Sequence, residues 1–313
     1  MINVKTGKRI VIENKRKAIF SLVMLAVPIA HFLVFYLYIN LSSFSLAFKK
    51  YEIREGVGLV SSFAKLDNFK DACRILFGAG GWSKIKNSLI FESVNLFLVT
   101  PLTLIFAFYI YKRAFFCMFL KLFMPYILSE IIVATIYKYM TNNVIPYIFE
   151  QWFGLKIPQL LADSKTQMVT AIVFNMIMWL GINSLIYSSA MEEVNVSMSE
   201  AAQLDGANVA QEFVYVTIPT IFPTIVTLFI VALAAVFTDQ FRMLSLFYYL
   251  PGGLDNMGFY LYMQASRTDV IPTATADLTY GGLSAMGLLL SFVVIPVTLV
   301  TRHLLNKYGP RAD

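Results

Sequence analysis

What this chain lacks narrows its chemistry first. Only two cysteines, Cys73 and Cys117, occur in 313 residues. They stand far apart, in no metal or redox spacing. Two histidines, His31 and His303, are too few for a histidine-based metal site, and no metal ligands are assigned. No GxxxxGK(S/T) phosphate loop occurs anywhere, so ATP in this binding mode must sit on another chain. No cluster of His, Cys or paired carboxylates marks a catalytic centre, which argues against an enzyme. Charge is scarce as well: 14% of residues are Asp, Glu, Lys or Arg, against about 25% in a soluble domain.

What is present is apolar. Hydrophobic residues make up 58% of the chain, and the mean hydropathy is +0.67. This composition belongs to a polytopic membrane protein, with the lipid bilayer as its first partner. The net charge of +6 lies at the ends of apolar runs and forms no basic stripe, so it gives no nucleic-acid footprint. Runs of spanning length are expected at about 18–39, 88–111, 115–139, 168–191, 219–238 and 281–301. The expected fold class is therefore all-α, with six transmembrane helices.

The organisation that follows has four parts. Residues 1–17 form a basic N-terminal segment, and 18–87 hold the first helix and a loop. Residues 88–302 form the core, and 303–313 a tail. Further loops are expected at 140–167 and 239–280. Six spans place both termini on one side. Placing the N-terminus inside leaves 11 Lys and Arg in inside segments and 13 in outside loops. Charge counting therefore does not decide the orientation.

One polar stretch interrupts the apolar pattern. Glu192, Glu193, Glu200, Asp205 and Glu212 fall between two expected spans with no Lys or Arg among them. Each costs about 2.5–3.5 kcal/mol at a bilayer centre, on the order of 15 kcal/mol together, so residues 192–218 form an extramembrane loop. Val194, Met198, Ala201, Ala202 and Leu204 make a modest apolar face in its first half. Asp205-Gly206 is a turn pair, and glycine reaches backbone angles closed to other residues. Val209, Phe213 and Val216 follow at helical spacing, and Pro219 and Pro223 are read as opening the fifth span. Two short helices meeting at a glycine make a compact knob with small residues at its tip. Glu192, Glu193 and Glu212 are expected on a solvated face.

Glu200-Ala201-Ala202-Gln203-Leu204-Asp205-Gly206-Ala207, followed by Phe213, Ile218, Pro219 and Pro223, resembles the EAA loop of permease subunits from binding-protein-dependent ABC importers. The carbohydrate-uptake permeases of the maltose and glycerol-phosphate kind are the most similar group. Leu46-Ala47-Phe48, Asp67-Asn68-Phe69, Asn87-Ser88-Leu89 and Gly282-Leu283-Ser284-Ala285 also resemble that family's punctuation. Pro251-Gly252-Gly253 departs from the GGGP often found there.

The resemblance implies that the loop couples to a cytoplasmic ATPase dimer, which binds the ATP and Mg. Glu200 would pair with a basic ATPase residue, Gly206 would allow the bend, and Ala201, Ala202, Leu204, Asp205, Ala207 and Phe213 would complete the element. It also implies a cytoplasmic loop and cytoplasmic termini in a bacterial cell membrane. A second, non-identical permease and an extracytoplasmic substrate-binding protein are the implied partners. The implied cargo is a sugar, an oligosaccharide above all.

Polar groups inside spans are costly and mark candidate pathways. Asn175, Trp179 and Asn183 recur at i, i+4 and i+8 on one helix face. Amides beside an aromatic ring suit a sugar, although interhelical hydrogen bonding explains them equally well. Glu92, Asn95 and Glu130 are further candidates, as is the triplet Thr238, Asp239 and Gln240, which also reads as a helix cap. An ion-coupled secondary transporter would show inverted repeats and broken midplane helices, and no repeat is found. A permease for a non-sugar solute remains the other alternative.

Overall fold

The computed structural model describes residues 4–54, 58–113, 126–247, 253–267 and 278–310. Among them five helices are long and apolar enough to cross a membrane: Lys17–Leu46, Gly80–Lys112, Gln167–Glu192, Val209–Ala235 and Tyr280–Tyr308. Residues 115–125 of the expected third span, and Pro251-Gly252, lie outside the described residues. The chain forms two compact units, Met1–Ala72 with Thr268–Leu288, and Cys73–Arg267 with Leu289–Asp313.

The first unit departs from an all-helical expectation in one place. The first span is followed by an antiparallel hairpin, β1 (Lys49–Arg54) and β2 (Gly58–Phe63), with Lys49 opposite Phe63 and Arg54 opposite Gly58. Buried Asn68 fastens this hairpin by donating its Nδ2 to the carbonyls of Ala47 (2.8 Å) and Lys49 (2.9 Å). The Phe48 and Phe69 rings lie 5.2 Å apart. Two of the punctuation motifs thus meet. A Cβ on Gly281 would stand 2.6 Å from Asn68 Nδ2 and 2.6 Å from the Lys49 carbonyl oxygen, so a glycine is required there.

In the second unit the Asn87-Ser88 motif has a similar task. Asn87 Nδ2 donates to the carbonyls of Gly253 and Asp255, both at 2.9 Å, and Ser88 Oγ accepts the Met257 N–H at 2.9 Å. The 253–257 segment is thereby fixed to the start of the second span. One apolar core gathers Phe91, Phe174, Met178, Phe241, Met243 and Leu246. A second gathers Leu104, Phe108, Tyr187, Met191, Val194 and Ile221.

Pro219 does not open the fifth helix as expected, and it shares its setting with Pro101 and Pro146. Helix Val209–Glu212 runs through a wide turn, Phe213–Thr217, straight into Ile218–Ala235. The helix that carries the expected fifth span therefore begins at Val209 and not at Pro219. Wide turns Asn95–Val99 and Met140–Val144 likewise lead into Thr100-Pro101 and Ile145-Pro146. In all three, the residue before proline donates its N–H five residues back: Thr100 to Asn95, Ile145 to Met140 and Ile218 to Phe213. A proline ring clashes with the carbonyl four residues earlier. Widening the preceding turn moves that carbonyl aside and lets the helix continue.

The same device shortens the expected loop 140–167. Helix Glu130–Tyr139 continues through Met140–Val144 to Phe153 and stops at Gly154, whose φ is +66°. Thr141 and Asn142, inside the expected loop, are satisfied within the fold. Thr141 Oγ1 donates to the Tyr137 carbonyl at 2.8 Å, and Asn142 Oδ1 accepts from Leu161 N–H at 3.0 Å.

Candidate functional site

The first site is the knob at 192–218. Its first helix, Val196–Leu204, opens on Asn195, whose side chain accepts the Ser197 N–H at 3.1 Å. It closes with two bonds that define a left-handed glycine cap: Gly206 N–H to the Gln203 carbonyl (3.1 Å) and Ala207 N–H to the Ala202 carbonyl (2.9 Å). Gly206 has φ +81°, which a residue with a Cβ adopts at a cost of about 1–2 kcal/mol. The next helix starts at once. Asn208 Oδ1 accepts from Gln211 N–H (2.9 Å), and Gln211 Oε1 accepts from Asn208 N–H (2.8 Å).

This construction turns Glu200, Ala201, Leu204, Asp205 and Gly206 outward, with Ala202 and Ala207 half-buried behind them. The expected apolar face of the first helix is not packed inside. Leu204 is 89% exposed, and only Val194 enters the core. Leu204 thus stands exposed beside Glu200 and Asp205.

Glu192 and Glu193 are exposed as expected, but Glu212 is not. It is 2% exposed and ion-paired with Lys112 at the end of the second span. Its Oε1 also accepts from Ser199 Oγ at 2.5 Å, and Oε2 from Gln203 Nε2 at 3.4 Å. Lys112 lies 5.9 Å from the Phe108 ring centroid and 5.7 Å from that of Tyr111. Phe213, half-buried, packs against Phe108 with the ring centroids 4.8 Å apart and the planes tilted by 43°. An unpaired buried carboxylate costs about 3–5 kcal/mol, and Lys112, read in the sequence only as a flanking charge, removes that cost.

The second site is a polar chain inside the helices. Asn175, 1% exposed, donates its Nδ2 to Asn95 Oδ1 at 3.0 Å and accepts from Arg242 Nη1 at 3.1 Å. Arg242 Nε lies 3.7 Å from Glu130 Oε2, and Ser245 Oγ donates to Glu130 Oε1. The guanidinium sits 5.7 Å from the Trp179 ring centroid, within cation–π range. Arg242 itself has φ +58°. Asn95, Trp179 and Asn183 line one cleft with Thr100, Tyr187 and apolar residues of 228–232. The indole Nε1 of Trp179 is buried without a hydrogen-bond partner.

The i, i+4, i+8 face therefore divides. Asn175 is consumed by neighbours, whereas Trp179 and Asn183 face the cleft. Glu92 is buried on the same helix as Asn95. Thr238, Asp239 and Gln240 build the turn that ends the fifth span: Thr238 Oγ1 donates to the Ala235 carbonyl, and Asp239 Oδ1 accepts from Phe241 N–H at 2.7 Å. The Gln240 carbonyl accepts from Asn256 Nδ2 at 2.9 Å.

The relatives of this chain are consistent in kind. It is 26% identical to the arabinooligosaccharides transport system permease protein AraP of Bacillus subtilis over 88% of this chain and 85% of that protein. It is 27% identical to the protein of that name from Halalkalibacterium halodurans, over 60% of this chain and 58% of that one. The inner membrane ABC transporter permease protein YcjO of Escherichia coli is 27% identical over 59% and 61%. This chain is a relative of ABC transport permeases. No family model matches it.

The fold agrees along nearly the whole permease-like chain. A chain from the crystal structure of a bacterial ABC transporter involved in the import of the acidic polysaccharide alginate superposes with a TM-score of 0.72. It has 22% identity and covers 96% of this chain and 99% of that one. A second alginate ABC transporter structure, in complex with an alginate pentasaccharide-bound periplasmic protein, gives a TM-score of 0.73 at 22% identity over the same shares.

Three groups of residues escaped sequence reasoning: Lys112 with Glu212, Ser199 with Gln203, and Arg242 with Ser245. A lone arginine in an aromatic stretch was the available signal for Arg242. The others carry no local signal, since Lys112 and Glu212 stand 100 residues apart.

Proposed function

We propose that this chain is a transmembrane permease subunit of an ATP-driven ABC importer, with six spans and cytoplasmic termini in a bacterial cell membrane. It forms half of the translocation pathway and pairs with a second permease. The 192–218 knob docks on a cytoplasmic ATPase dimer that holds ATP and Mg, and a binding protein delivers cargo on the opposite side. The observation that carries this reading is the knob itself. A glycine cap with φ +81° at Gly206 turns Glu200 and Leu204 outward, where a partner would meet them. The relatives' shared description as transport permeases supports the same reading.

The cargo is a sugar, an oligosaccharide in the first instance. The cleft beside Trp179 and Asn183 offers a ring face for stacking and amides for hydroxyl groups, the usual mix of apolar walls and few polar groups. Uptake would proceed by alternating access, driven by ATPase closure on the knob.

Affinity purification of a tagged copy from its own host tests the reading. An ABC ATPase and a second permease are expected to come down together, and vesicles holding that complex to take up oligosaccharide only with ATP. Persistent absence of an ATPase would sink the proposal. Trp179→Ala in the same vesicles is expected to raise the half-saturation concentration for cargo about tenfold, matching loss of about 1–1.5 kcal/mol of aromatic contact. ATPase recovery should not change. An unaltered uptake curve would remove Trp179 from the pathway.

A further inference from the structure

We infer that Lys112 and Glu212 form a positioning clamp that makes the knob move as one body with two transmembrane helices. The inference rests on the importer reading above and names how its coupling element is anchored. Three elements meet at one carboxylate. Lys112 comes from the end of helix Gly80–Lys112, Glu212 from the first turn of Val209–Ala235, and Ser199 and Gln203 from the knob's own helix.

The placement matters because the knob is otherwise weakly held. Most of its residues are exposed, from Asn195 to Gln211, with Ser199 the one buried side chain among them. Ser199 is also the residue that donates to Glu212 Oε1, at 2.5 Å. Through that bond, a push received at Glu200 or Leu204 arrives at Glu212 and from there at Lys112. Beneath the ion pair, the Phe213 and Phe108 rings, 4.8 Å apart, cover one side, so water reaches Lys112 but little of the Glu212 carboxylate, and the pair is screened less than one at the surface. Without the clamp, the knob can still meet a partner and stays continuous with Val209–Ala235, but helix Gly80–Lys112 no longer follows it. Coupling between sites requires an element with defined arrangements that both sites bias, and the clamp supplies the rigid joint.

The test uses the whole complex in vesicles, reading ATP hydrolysis and uptake together. Lys112→Met and Glu212→Gln are expected to keep the ATPase bound and hydrolysing, while uptake per ATP falls about tenfold, within the range usual for coupling between sites. Lys112→Arg keeps the cation and is expected to keep coupling. The exchanged pair, Lys112→Glu with Glu212→Lys, is expected to recover a large part of it. Parental uptake per ATP in both single variants overturns the clamp while leaving the importer reading standing. If both single variants fail to assemble, the exchanged pair decides: recovered assembly with coupled uptake supports the clamp. Failure of the exchanged pair to assemble reduces the pair to a folding contact and overturns it. An unaltered complex that hydrolyses ATP without any uptake refutes the importer reading instead.

Discussion

Gly206→Pro is expected to abolish ATP-dependent uptake while the chain still inserts in the membrane at near-parental amounts. Proline holds φ near −65°, and position 206 needs +81°. It also removes the N–H that reaches the Gln203 carbonyl at 3.1 Å. Both defects fall on the joint between the knob's two helices, outside either apolar core. The tip carrying Glu200 and Leu204 is therefore re-aimed, while the spans fold as before. Gly206→Ala separates geometry from bulk. Nothing lies within 4 Å of a Cβ built there, so only the backbone cost of about 1–2 kcal/mol remains, and uptake should fall severalfold without vanishing. The measurement is uptake normalised to membrane-inserted protein. Parental uptake by the proline variant would show that the reversal at 206 does not present the coupling surface. Glu200→Lys tests the same surface by charge, since a partner cation then meets a cation.

The knob was legible because its motif records local backbone events. Asp205-Gly206 names a cap that only glycine closes cheaply, and the fall of carboxylates excludes the membrane whatever the surroundings. Spans were legible from length and hydropathy, which depend on composition and not on neighbours. Helix boundaries were less so. Pro101, Pro146 and Pro219 look like punctuation in a string, yet each sits inside a continuous helix because a widened turn precedes it. That compensation uses hydrogen bonds five residues long, which no residue type announces. The hairpin Lys49–Phe63 lay hidden because its stability depends on Asn68 beyond it in the chain.

Burial of charge was the least legible property. Glu212 carries the same side chain as Glu192 and Glu193 and sits in the same acidic stretch, but it is buried against Lys112, Ser199 and Gln203. Its fate depends on which helix passes behind it, and helix order in space is not written at that position. The Asn175-Trp179-Asn183 face was readable as a stripe, whereas the split between structural and cleft-facing members required Arg242 to be located.

Arg242→Met is expected to raise the half-saturation concentration for cargo about tenfold and to lower the melting temperature of the complex. The guanidinium holds three groups at once: Asn175 Oδ1 at 3.1 Å, Glu130 at 3.7 Å and the Trp179 ring at 5.7 Å. Methionine keeps much of the volume and none of these contacts. A charge-assisted hydrogen bond is worth about 1.5–3 kcal/mol in water-soluble proteins, while interhelical bonds in membranes average about 0.6 and reach about 1.7. A loss of about 1–2 kcal/mol is the intermediate expectation, enough for roughly a tenfold change in an equilibrium. The effect reaches the cleft because Asn175 also holds Asn95, and Asn95 and Trp179 both line it. Lysine at 242 keeps the charge but lacks the planar fork that meets an amide and a ring together, so Arg242→Lys should fall between parent and Met. Glycine relieves the φ of +58° and yet removes the side chain. If strain governs the site, Arg242→Gly stabilises the complex; if the guanidinium governs it, the glycine variant loses affinity with the methionine one. The second outcome is expected, and uptake kinetics with thermal melting of the purified complex distinguish the two.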